Sequence, residues 1–381
     1  MAPITEIRQR LEKLWKQVVP PKLDRRLDSD NVVPAAFLKA NRIRLVPADF
    51  EASDVEKINL GDDVGLHVPS HCRDFDPPFL FKPRRLSFMA EHPIDPDGFY
   101  GDEIQKYREF ALPVAHPNQE NLNINHTKRS PWHCALFTAT YLERWALGNF
   151  PRRLPPNVAT LRQLCGLWSV YPPHPLYPAT RGFHHDGQSY ENHWMTYICE
   201  YVKEPEGVQM PHAVLLAHQS CNGHDGSIAL GELVAIITIM RNRASQPRVW
   251  DENEEDEDDA FDDGYQDPNP KECPGLDLKD TEVLFPDERR FPVLMASLVG
   301  PQHGRLYYAC MDGLDIVIRQ SKLYSFEKKD DALLNFFSCF LLSEPIARDP
   351  PRLPTPRPLP IRVPLQAASA RAADTITGPL R

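Results

Sequence analysis

The sequence lacks the features that mark several common classes of protein. No apolar run approaches the roughly 18 residues that a membrane-spanning helix needs, and the N-terminus has no continuous apolar block of the kind found in secretory signal peptides. The eight cysteines are scattered and form no CxxC pair. This pattern favours reduced, buried thiols over a secreted disulfide framework. We therefore expect an intracellular protein, cytoplasmic or nuclear, without a membrane partner.

The common catalytic and nucleotide-binding motifs are also missing. The patterns GxGxxG, GxxxxGK[ST], GxSxG and HExxH do not occur. The basic residues form no stripe of the kind that binds nucleic acids. The sequence therefore predicts no cofactor and no nucleic-acid partner.

Clustered acids and prolines are what the chain does have. Residues 251–263 read DENEEDEDDAFDD, ten acids without a basic residue, which equals the formal net charge of −10 for all 381 residues. Burying unpaired carboxylates is prohibitive, so we predict a disordered acidic insertion over 246–288. Proline accounts for 39 residues, about twice its usual share of roughly 5%. Since proline breaks helices and weakens central strands, much of the chain should be irregular.

Apolar residues recur at helical spacing in several segments before the acidic run. The predicted helices are 4–19, 130–148, 160–170, 190–202 and 227–244. The first is amphipathic and basic. A membrane-surface helix and a mitochondrial presequence are alternatives for it, but docking on the protein itself is the more common use of such a stripe. The last is apolar nearly all round, which is typical of a central helix. The short apolar run 212–217 fits a buried strand or a helix equally well.

Beyond the acidic run the pattern becomes that of β-structure. Residues 291–299, 305–311 and 314–319 are predicted strands, and Asp312-Gly313 is a strong hairpin signal. They predict a three-stranded antiparallel meander. Residues 330–342 then predict an apolar helix that covers one face of it.

These segments together predict an α+β fold, with a helical, loop-rich N-terminal two-thirds that continues into the three-stranded meander and its C-terminal helix. The predicted domains are an N-terminal amphipathic helix over 1–20, a single globular unit over 21–344 that carries the acidic insertion, and a disordered Pro- and Arg-rich tail over 345–381.

The meander segment FPVLMASLVGPQHGRLYYACMDGLDIVIRQSKLYSF, residues 291–326, resembles a recurrent segment of filamentous-fungal proteins that have no established activity. The resemblance implies a fungal source and an intracellular compartment. Fungal proteins of this sort can also be accessory to a biosynthetic pathway. The resemblance carries no catalytic residues over to this chain.

The order helix, three strands, helix is also similar to that of the metal-dependent PD-(D/E)xK nucleases, and Gln320-Ser-Lys322 matches a degenerate form of their motif. Two ligands of one metal lie within about 5 Å of each other, because metal–oxygen bonds are about 2.0–2.6 Å. Asp312 and Gln320 lie roughly 26 Å apart along an extended strand at about 3.3 Å per residue. They cannot share an ion, so an acid would have to come from elsewhere, such as Glu232 or Glu327.

The same strands bring basic residues towards one rim. His303, Arg305, Arg319 and Lys322 are therefore a candidate site for a phosphate or a carboxylate. The more common outcome for such residues is a solvated rim whose charges pair with Asp or Glu.

Residues 212–225 contain several residue types that bind Zn²⁺. His218, Cys221 and His224 are the candidate ligands, with His212, Asp225 and His184-His185-Asp186 as further donors. The spacing is not one of the recurrent zinc patterns, so we expect loop histidines and a buried thiol instead. Zn²⁺ or Mg²⁺ enters the prediction only if this site or the nuclease site forms.

We therefore predict a non-catalytic protein that acts through binding to other proteins, and a divergent metal-dependent phosphodiesterase or nuclease-like enzyme is the alternative. Arg348-x-x-Pro351-x-x-Pro354 fits one pattern of SH3-domain ligands, although Pro-rich tails match such patterns easily by chance.

Overall fold

A computed structural model describes most of the segments in which apolar residues recur. It covers residues 3–18, 31–51, 77–95, 131–148, 150–170, 176, 194–203, 208–248 and 283–346. The acidic run 251–263, the His184-His185-Asp186 segment and the tail beyond residue 346 lie outside the described residues. The predicted domain boundaries and the predicted disorder of the acidic insertion and the tail therefore stay predictions.

A mixed β-sheet of eight strands lies at the centre of the fold. Its strands are β1 (Ile43–Pro47), β3 (Leu167–Ser169), β4 (Trp194–Lys203), β5 (Val208–Asn222), β6 (Val293–Gly300), β7 (His303–Asp312), β8 (Asp315–Gln320) and β9 (Tyr324–Ser325). They are ordered β1-β8-β7-β6-β5-β4-β3, and β9 pairs with β7. A separate two-stranded sheet joins β2 (Phe81–Lys82) to β10 (Glu344–Pro345).

Helices cover both faces of this sheet. They are α1 (Ile4–Val18), α2 (Ala35–Ala40), α3 (Leu86–Glu91), α4 (Pro131–Ala146), α5 (Leu161–Leu164), α6 (Leu230–Ser245) and α7 (Asp331–Leu341). The buried residues of α1, α2 and α6 belong to the cluster on one face, which we call the first face. Those of α3, α4, α5 and α7 belong to the cluster on the second face. The described residues thus form three layers with the sheet in the middle.

Strand residues alternate between the two clusters. In β6, Val293 and Met295 face the first cluster, whereas Leu294 and Ala296 face the second. All eight residues of β6 are buried. A strand that is covered on both faces needs apolar residues at every position, which explains the continuous apolar run in this part of the sequence.

Two pairs of strands are parallel and the remaining pairs are antiparallel. Strands β5 and β6 are parallel neighbours, and the chain between them passes through α6, which is the usual crossover for parallel strands. The acidic run lies in this crossover, between α6 and β6. At one edge, β1 pairs in parallel with β8, for example Ile43 with Ile316.

The predicted fold class, a helical N-terminal two-thirds with a three-stranded meander, is wrong. Strands β6, β7 and β8 do pair consecutively and antiparallel, but they are part of a sheet that extends through β5, β4 and β3 on one side and β1 on the other. The sheet, and not a set of N-terminal helices, is the dominant element.

Segment 190–202 accounts for much of this difference. It was predicted as a helix but contains strand β4. Trp194 and Ile198 are spaced as in a helix, yet they also lie on one face of a strand. Residues such as Thr196 and Tyr197 fill the positions between them and favour β-structure. Because Met195 and Tyr197 on the opposite face are also apolar or aromatic, the sequence of β4 shows no alternation of polar and apolar residues.

Segment 160–170 was predicted as one helix and is two elements. Helix α5 ends after four residues, and Gly166 then adopts a positive φ of 66°. This conformation suits glycine and ends the helical turn. Strand β3 begins at the next residue and pairs with β4.

The central helix and the sheet share one core. Ile236 and Ile237 of α6 and Ile316 and Ile318 of β8 are each 0% exposed and belong to the first-face cluster.

Helix α1 packs into this cluster through its apolar stripe. Ile7, Leu11 and Leu14 are buried, and Arg241 of α6 donates a hydrogen bond to Glu12 at 2.8 Å. The stripe is therefore used for docking on the protein itself. No helix among the described residues is long and apolar enough to cross a membrane.

Candidate functional site

A buried cluster of polar side chains lies on the first face of the sheet, at the N-terminal end of α6. Its members come from three elements: Glu232 from α6, Arg305 and Tyr307 from β7, and Gln320 from the end of β8. Glu232 is 0% exposed and Arg305 is 1% exposed. We call these four residues the Glu232 cluster.

The carboxylate of Glu232 accepts four hydrogen bonds, one on Oε1 and three on Oε2. Arg305 donates from Nε to Oε1 at 2.9 Å and from Nη2 to Oε2 at 2.6 Å. The hydroxyl of Tyr307 donates to Oε2 at 2.8 Å. The backbone amide of Ala229, the residue before α6, also donates to Oε2 at 2.8 Å. Glu232 therefore caps its own helix and binds the sheet at the same time.

The cluster also ties down the loop that precedes α6. Arg305 Nη1 donates to the carbonyl oxygens of His224 and Ser227 at 2.8 and 2.9 Å. The side-chain amide of Gln320 donates to the carbonyl oxygen of Ser227 at 2.5 Å and to the hydroxyl of Tyr307 at 2.8 Å. A loop, a helix and two strands thus meet in one hydrogen-bonded unit.

The electrostatics of the cluster fix its protonation. Burial alone would lower the pKa of Arg305, but the negative charge of Glu232, the neighbouring Tyr307 and the hydrogen bonds to Glu232 together outweigh burial and raise that pKa above its ordinary value. Burial raises the pKa of Tyr307 well above its ordinary value, and the charge of Glu232 adds to this shift. At neutral pH the guanidinium is therefore charged, and Tyr307 keeps the proton that it donates to Glu232.

This geometry leaves little chemistry to Glu232. A general base needs a lone pair that faces its substrate, and a metal ligand needs one that faces the ion. Both oxygens already accept from Arg305, whose guanidinium occupies the place that a cation would take. The residues present therefore do not fit a divalent metal at this carboxylate.

The four predicted anion-binding residues are dispersed. Arg305 lies inside the Glu232 cluster. Lys322 forms an exposed ion pair with Glu51 at 2.8 Å. Arg319 pairs with Tyr308 of β7 on the second face of the sheet, and His303 begins β7 at the level of Ser325. The four side chains do not converge on one point.

The residues of the nuclease hypothesis are arranged partly as the sequence predicts. Asp312 lies at the β7–β8 hairpin and forms an ion pair with Arg44 at 2.6 Å, far from Gln320. Glu232, one of two acids named as a replacement, is brought beside Gln320, and both bond to the hydroxyl of Tyr307.

The candidate zinc ligands point in different directions. The ring of His218 packs against Trp132 on the second face, with 4.5 Å between ring centroids and 50° between the ring planes. Burial lowers the pKa of His218 to about 4 and that of His212 to about 3. The carboxylate of Asp225 accepts from the amide of Leu323 at 2.9 Å.

On the first face, the thiol of Cys221 lines a cavity of about 10 Å³, room for about one water, beside Gly231 of α6. A Cβ at Gly231 would lie 2.9 Å from the Cβ of Trp194, so glycine allows this close approach of helix and sheet. The carbonyl oxygen of His224 accepts a hydrogen bond from Arg305 of the Glu232 cluster. Among the described residues, no three His, Cys, Asp or Glu side chains are placed to hold a metal ion.

Glu232 and Arg305 are each candidate residues in the sequence, but no local spacing connects them. A signal was present. Glu232 is the single acid of the apolar helix α6, and Arg305 precedes the apolar run Leu306–Met311. A lone acid and a lone base in two fully buried segments predict an internal ion pair, because neither charge can be buried alone.

Comparisons with protein-family models, with curated proteins and with solved structures give no match to this chain. The functional argument therefore depends on the geometry of the described residues.

Proposed function

We propose that this protein acts by binding and not by catalysis, and that it works inside the cell, in the cytoplasm or nucleus. The internal pairing of Glu232 carries the proposal. Arg305, Tyr307 and the amide of Ala229 supply four hydrogen bonds to its carboxylate. A carboxylate that is 0% exposed and bound to an internal guanidinium stabilises the fold and does not face a substrate.

The state of the cysteines supports an intracellular location. The six cysteines that the structure describes carry reduced thiols. Burial raises the pKa of Cys165 and Cys310 to about 11, which makes these thiols unreactive at neutral pH. Reduced, inert thiols are typical of proteins in reducing compartments.

The Pro-rich segment 348–354 is the proposed ligand for an SH3-type protein partner. It follows a fixed point of the structure, because the amide of Ile346 donates to the carbonyl oxygen of Leu80 at 2.9 Å. A Pro-rich ligand needs to reach its partner without unfolding its own domain, and a segment that begins just beyond this anchor meets that requirement.

A nuclease-like enzyme is the second candidate, and one observation favours it. Glu232 and Gln320 contact the same tyrosine hydroxyl, and Lys322 follows on the same strand end, as in a degenerate (D/E/Q)xK motif. The internal guanidinium of Arg305 argues against it, since a metal would have to displace a buried ion pair.

Nuclease assays on the purified protein separate the two candidates. Supercoiled DNA, single-stranded DNA and RNA are incubated with Mg²⁺ or Mn²⁺. Lys322→Ala is the diagnostic variant, because Lys322 is 59% exposed and its ion pair with Glu51 lies at the surface, where loss of such a pair costs at most about 1 kcal/mol. The matched control is Lys329→Ala, which removes another surface lysine paired with an acid.

We expect no cleavage by the wild type above the level of both variants. Cleavage that needs metal and is lost in Lys322→Ala but kept in Lys329→Ala would refute the binding proposal. For the positive arm, the tagged full chain should recover a stoichiometric partner, and loss of that partner on Pro351→Ala with Pro354→Ala would assign it to the tail.

A further inference from the structure

Residues 84–88 read Arg-Arg-Leu-Ser-Phe and place a serine shortly after a pair of arginines. The sequence contains four Arg-Arg pairs, and this is the one pair with a serine two residues after its second arginine. Kinases select their substrates by patterns of charge. Arginines suit a kinase with an acidic substrate cleft, because a guanidinium forms two parallel hydrogen bonds with a carboxylate. The pattern is therefore typical of a substrate for an arginine-directed serine kinase.

The structure presents this serine on the surface. Ser87 lies in the first turn of helix α3 and is exposed, and the preceding Leu86 is 39% exposed. The helix is anchored on its other side by Met89, which is 3% exposed. The hydroxyl of Ser87 can therefore be reached without disturbing the buried side of α3.

The backbone before Ser87 is extended, which is the form in which a peptide segment lies in a binding cleft. Strand β2 ends at Lys82, and Arg85 has a φ of −71° and a ψ of 151°. The first turn of α3, in which the amide of Phe88 donates to the carbonyl oxygen of Arg85 at 3.0 Å, has to open. A helix of six residues gains little stability from its own hydrogen bonds, so this opening costs little.

Arg84 is the residue of the motif that already has partners. Its Nε donates to the carbonyl oxygen of Leu342 at 3.0 Å, and its Nη1 forms an ion pair with Glu344 of β10. Its guanidinium also lies over the ring of Phe88, 5.3 Å from the centroid. The side chains of Arg84 and Glu344 are 21% and 43% exposed, so water screens the pair and its loss costs little. Arg85, in contrast, is exposed.

We propose that Ser87 is a phosphorylation site for an arginine-directed serine kinase, which binds Arg85 and takes Arg84 from Glu344. The hydroxyl oxygen of Ser87 attacks the γ-phosphorus of ATP, the bond from that phosphorus to the bridging oxygen breaks, ADP leaves, and the hydroxyl proton passes to a base of the kinase. The phosphate adds a charge of about −1.5 to −2 three residues from Arg84 and competes with Glu344 for it. The site shares no residue with the Glu232 cluster and does not depend on the function proposed above.

Phosphate incorporation into the purified full chain tests the site, with Mg²⁺, ATP and the catalytic subunit of cyclic-AMP-dependent protein kinase as the probe. We expect about one phosphate per chain, located on Ser87 by mass spectrometry. Ser87→Ala should lose it, and Ser325→Ala, the matched control at another exposed serine, should keep it. Arg85→Gln should lower kcat/KM at least about tenfold through the loss of charged hydrogen bonds, whereas Arg153→Gln, at an exposed arginine of another pair, should not.

Glu344→Gln measures the competition for Arg84. It should raise kcat/KM about two- to fivefold, the range expected for release of an exposed ion pair. Lys82→Gln is the control for general loosening of β10, because it removes the other partner of Glu344, at 3.6 Å, without freeing Arg84; it should give no such gain.

The absence of incorporation into the wild type, its persistence in Ser87→Ala, or a need for prior unfolding of the chain by heat would overturn the site. An unchanged rate for Glu344→Gln would overturn the competition for Arg84.

Discussion

Removing the charge of Glu232 is the most direct perturbation of the fold. Glu232→Gln keeps the shape of the side chain, but it leaves the guanidinium of Arg305 without a counter-ion where it is 1% exposed. It also turns an amide NH₂ group towards donors, because each of the four hydrogen bonds on the carboxylate is received and none is donated. The variant therefore loses the ion pair and at least one hydrogen bond.

The expected cost is about 3–5 kcal/mol, the usual result of breaking a buried ion pair from one side. Since domains are stable by about 5–15 kcal/mol, Glu232→Gln should fold but unfold at much lower urea concentration. Arg305→Met should cost a similar amount, because it strands the carboxylate. The double variant should cost at least about 2 kcal/mol less than the sum, since it leaves no buried charge unpaired.

Urea unfolding followed by tryptophan fluorescence measures all four proteins, and circular dichroism checks that each one folds. Ile239→Val, a small apolar change elsewhere on α6, controls for general damage to that helix. A cost below about 1 kcal/mol for Glu232→Gln, or strict additivity in the cycle, would refute the conclusion that this pair holds α6 to the sheet.

Three further predictions concern pH, the acidic run and the core. The pKa of His212 is about 3 and that of His218 about 4 in the folded state, below the unfolded value of about 6.5, so each neutral ring stabilises the fold above pH 6.5 and loses that contribution as the pH falls. His218→Gln should recover about 2 kcal/mol of the stability that is lost between pH 7 and pH 5. An unchanged pH profile of unfolding would contradict this. Replacement of Asp251–Asp263 by a short Gly/Ser linker should move the Tm by only a few degrees. The Leu284 amide donates to the Gln246 carbonyl oxygen at 2.7 Å at the base of the segment, and the entropic cost of closing the shorter loop differs by only about 0.2 kcal/mol. Loss of folding in a thermal scan would show that the acidic run docks on the protein. Ile236→Ala and Ile318→Ala should each cost about 2–5 kcal/mol and unfold in one transition by calorimetry, whereas two transitions, each sensitive to one substitution, would show two domains.

The sequence predicts elements better than it predicts their assembly. Helix α6 and the strands of the β6–β8 meander lie close to their predicted positions, because caps, turns and local periodicity are encoded by neighbouring residues. The partners of that meander are not local. Strand β1 lies in a part of the chain for which the sequence predicts no strand, and strand β4 lies in a segment whose spacing predicts a helix. Sheet pairing over such separations depends on tertiary packing.

For the candidate site, too, the sequence predicts the position of a residue within its element better than the contacts between elements. The sequence identifies Arg305 as a basic residue near a rim, because its position in the predicted meander is correct. It does not reveal that α6 crosses over the same strand and presents Glu232 to it. Strand register decides on which face of the sheet Arg305 and Arg319 lie. With the observed pairing of β7 and β8, the two arginines lie on opposite faces. The orientation of a helix over a sheet has no counterpart in local spacing.

The parallel pairing of β1 with β8 has a consequence for synthesis. Ile43 meets Ile316 across that pair, so β1 waits on the ribosome for the synthesis of 273 further residues before its partner strand is made. At about 5–20 residues per second, the wait is roughly 15–55 s. During that time β1 lacks its partner, and the apolar stripe of α1 lacks the helix α6 until α6 is made. Nascent chains should therefore need chaperone protection until residue 320 has emerged, and slower translation should lower the yield of folded protein.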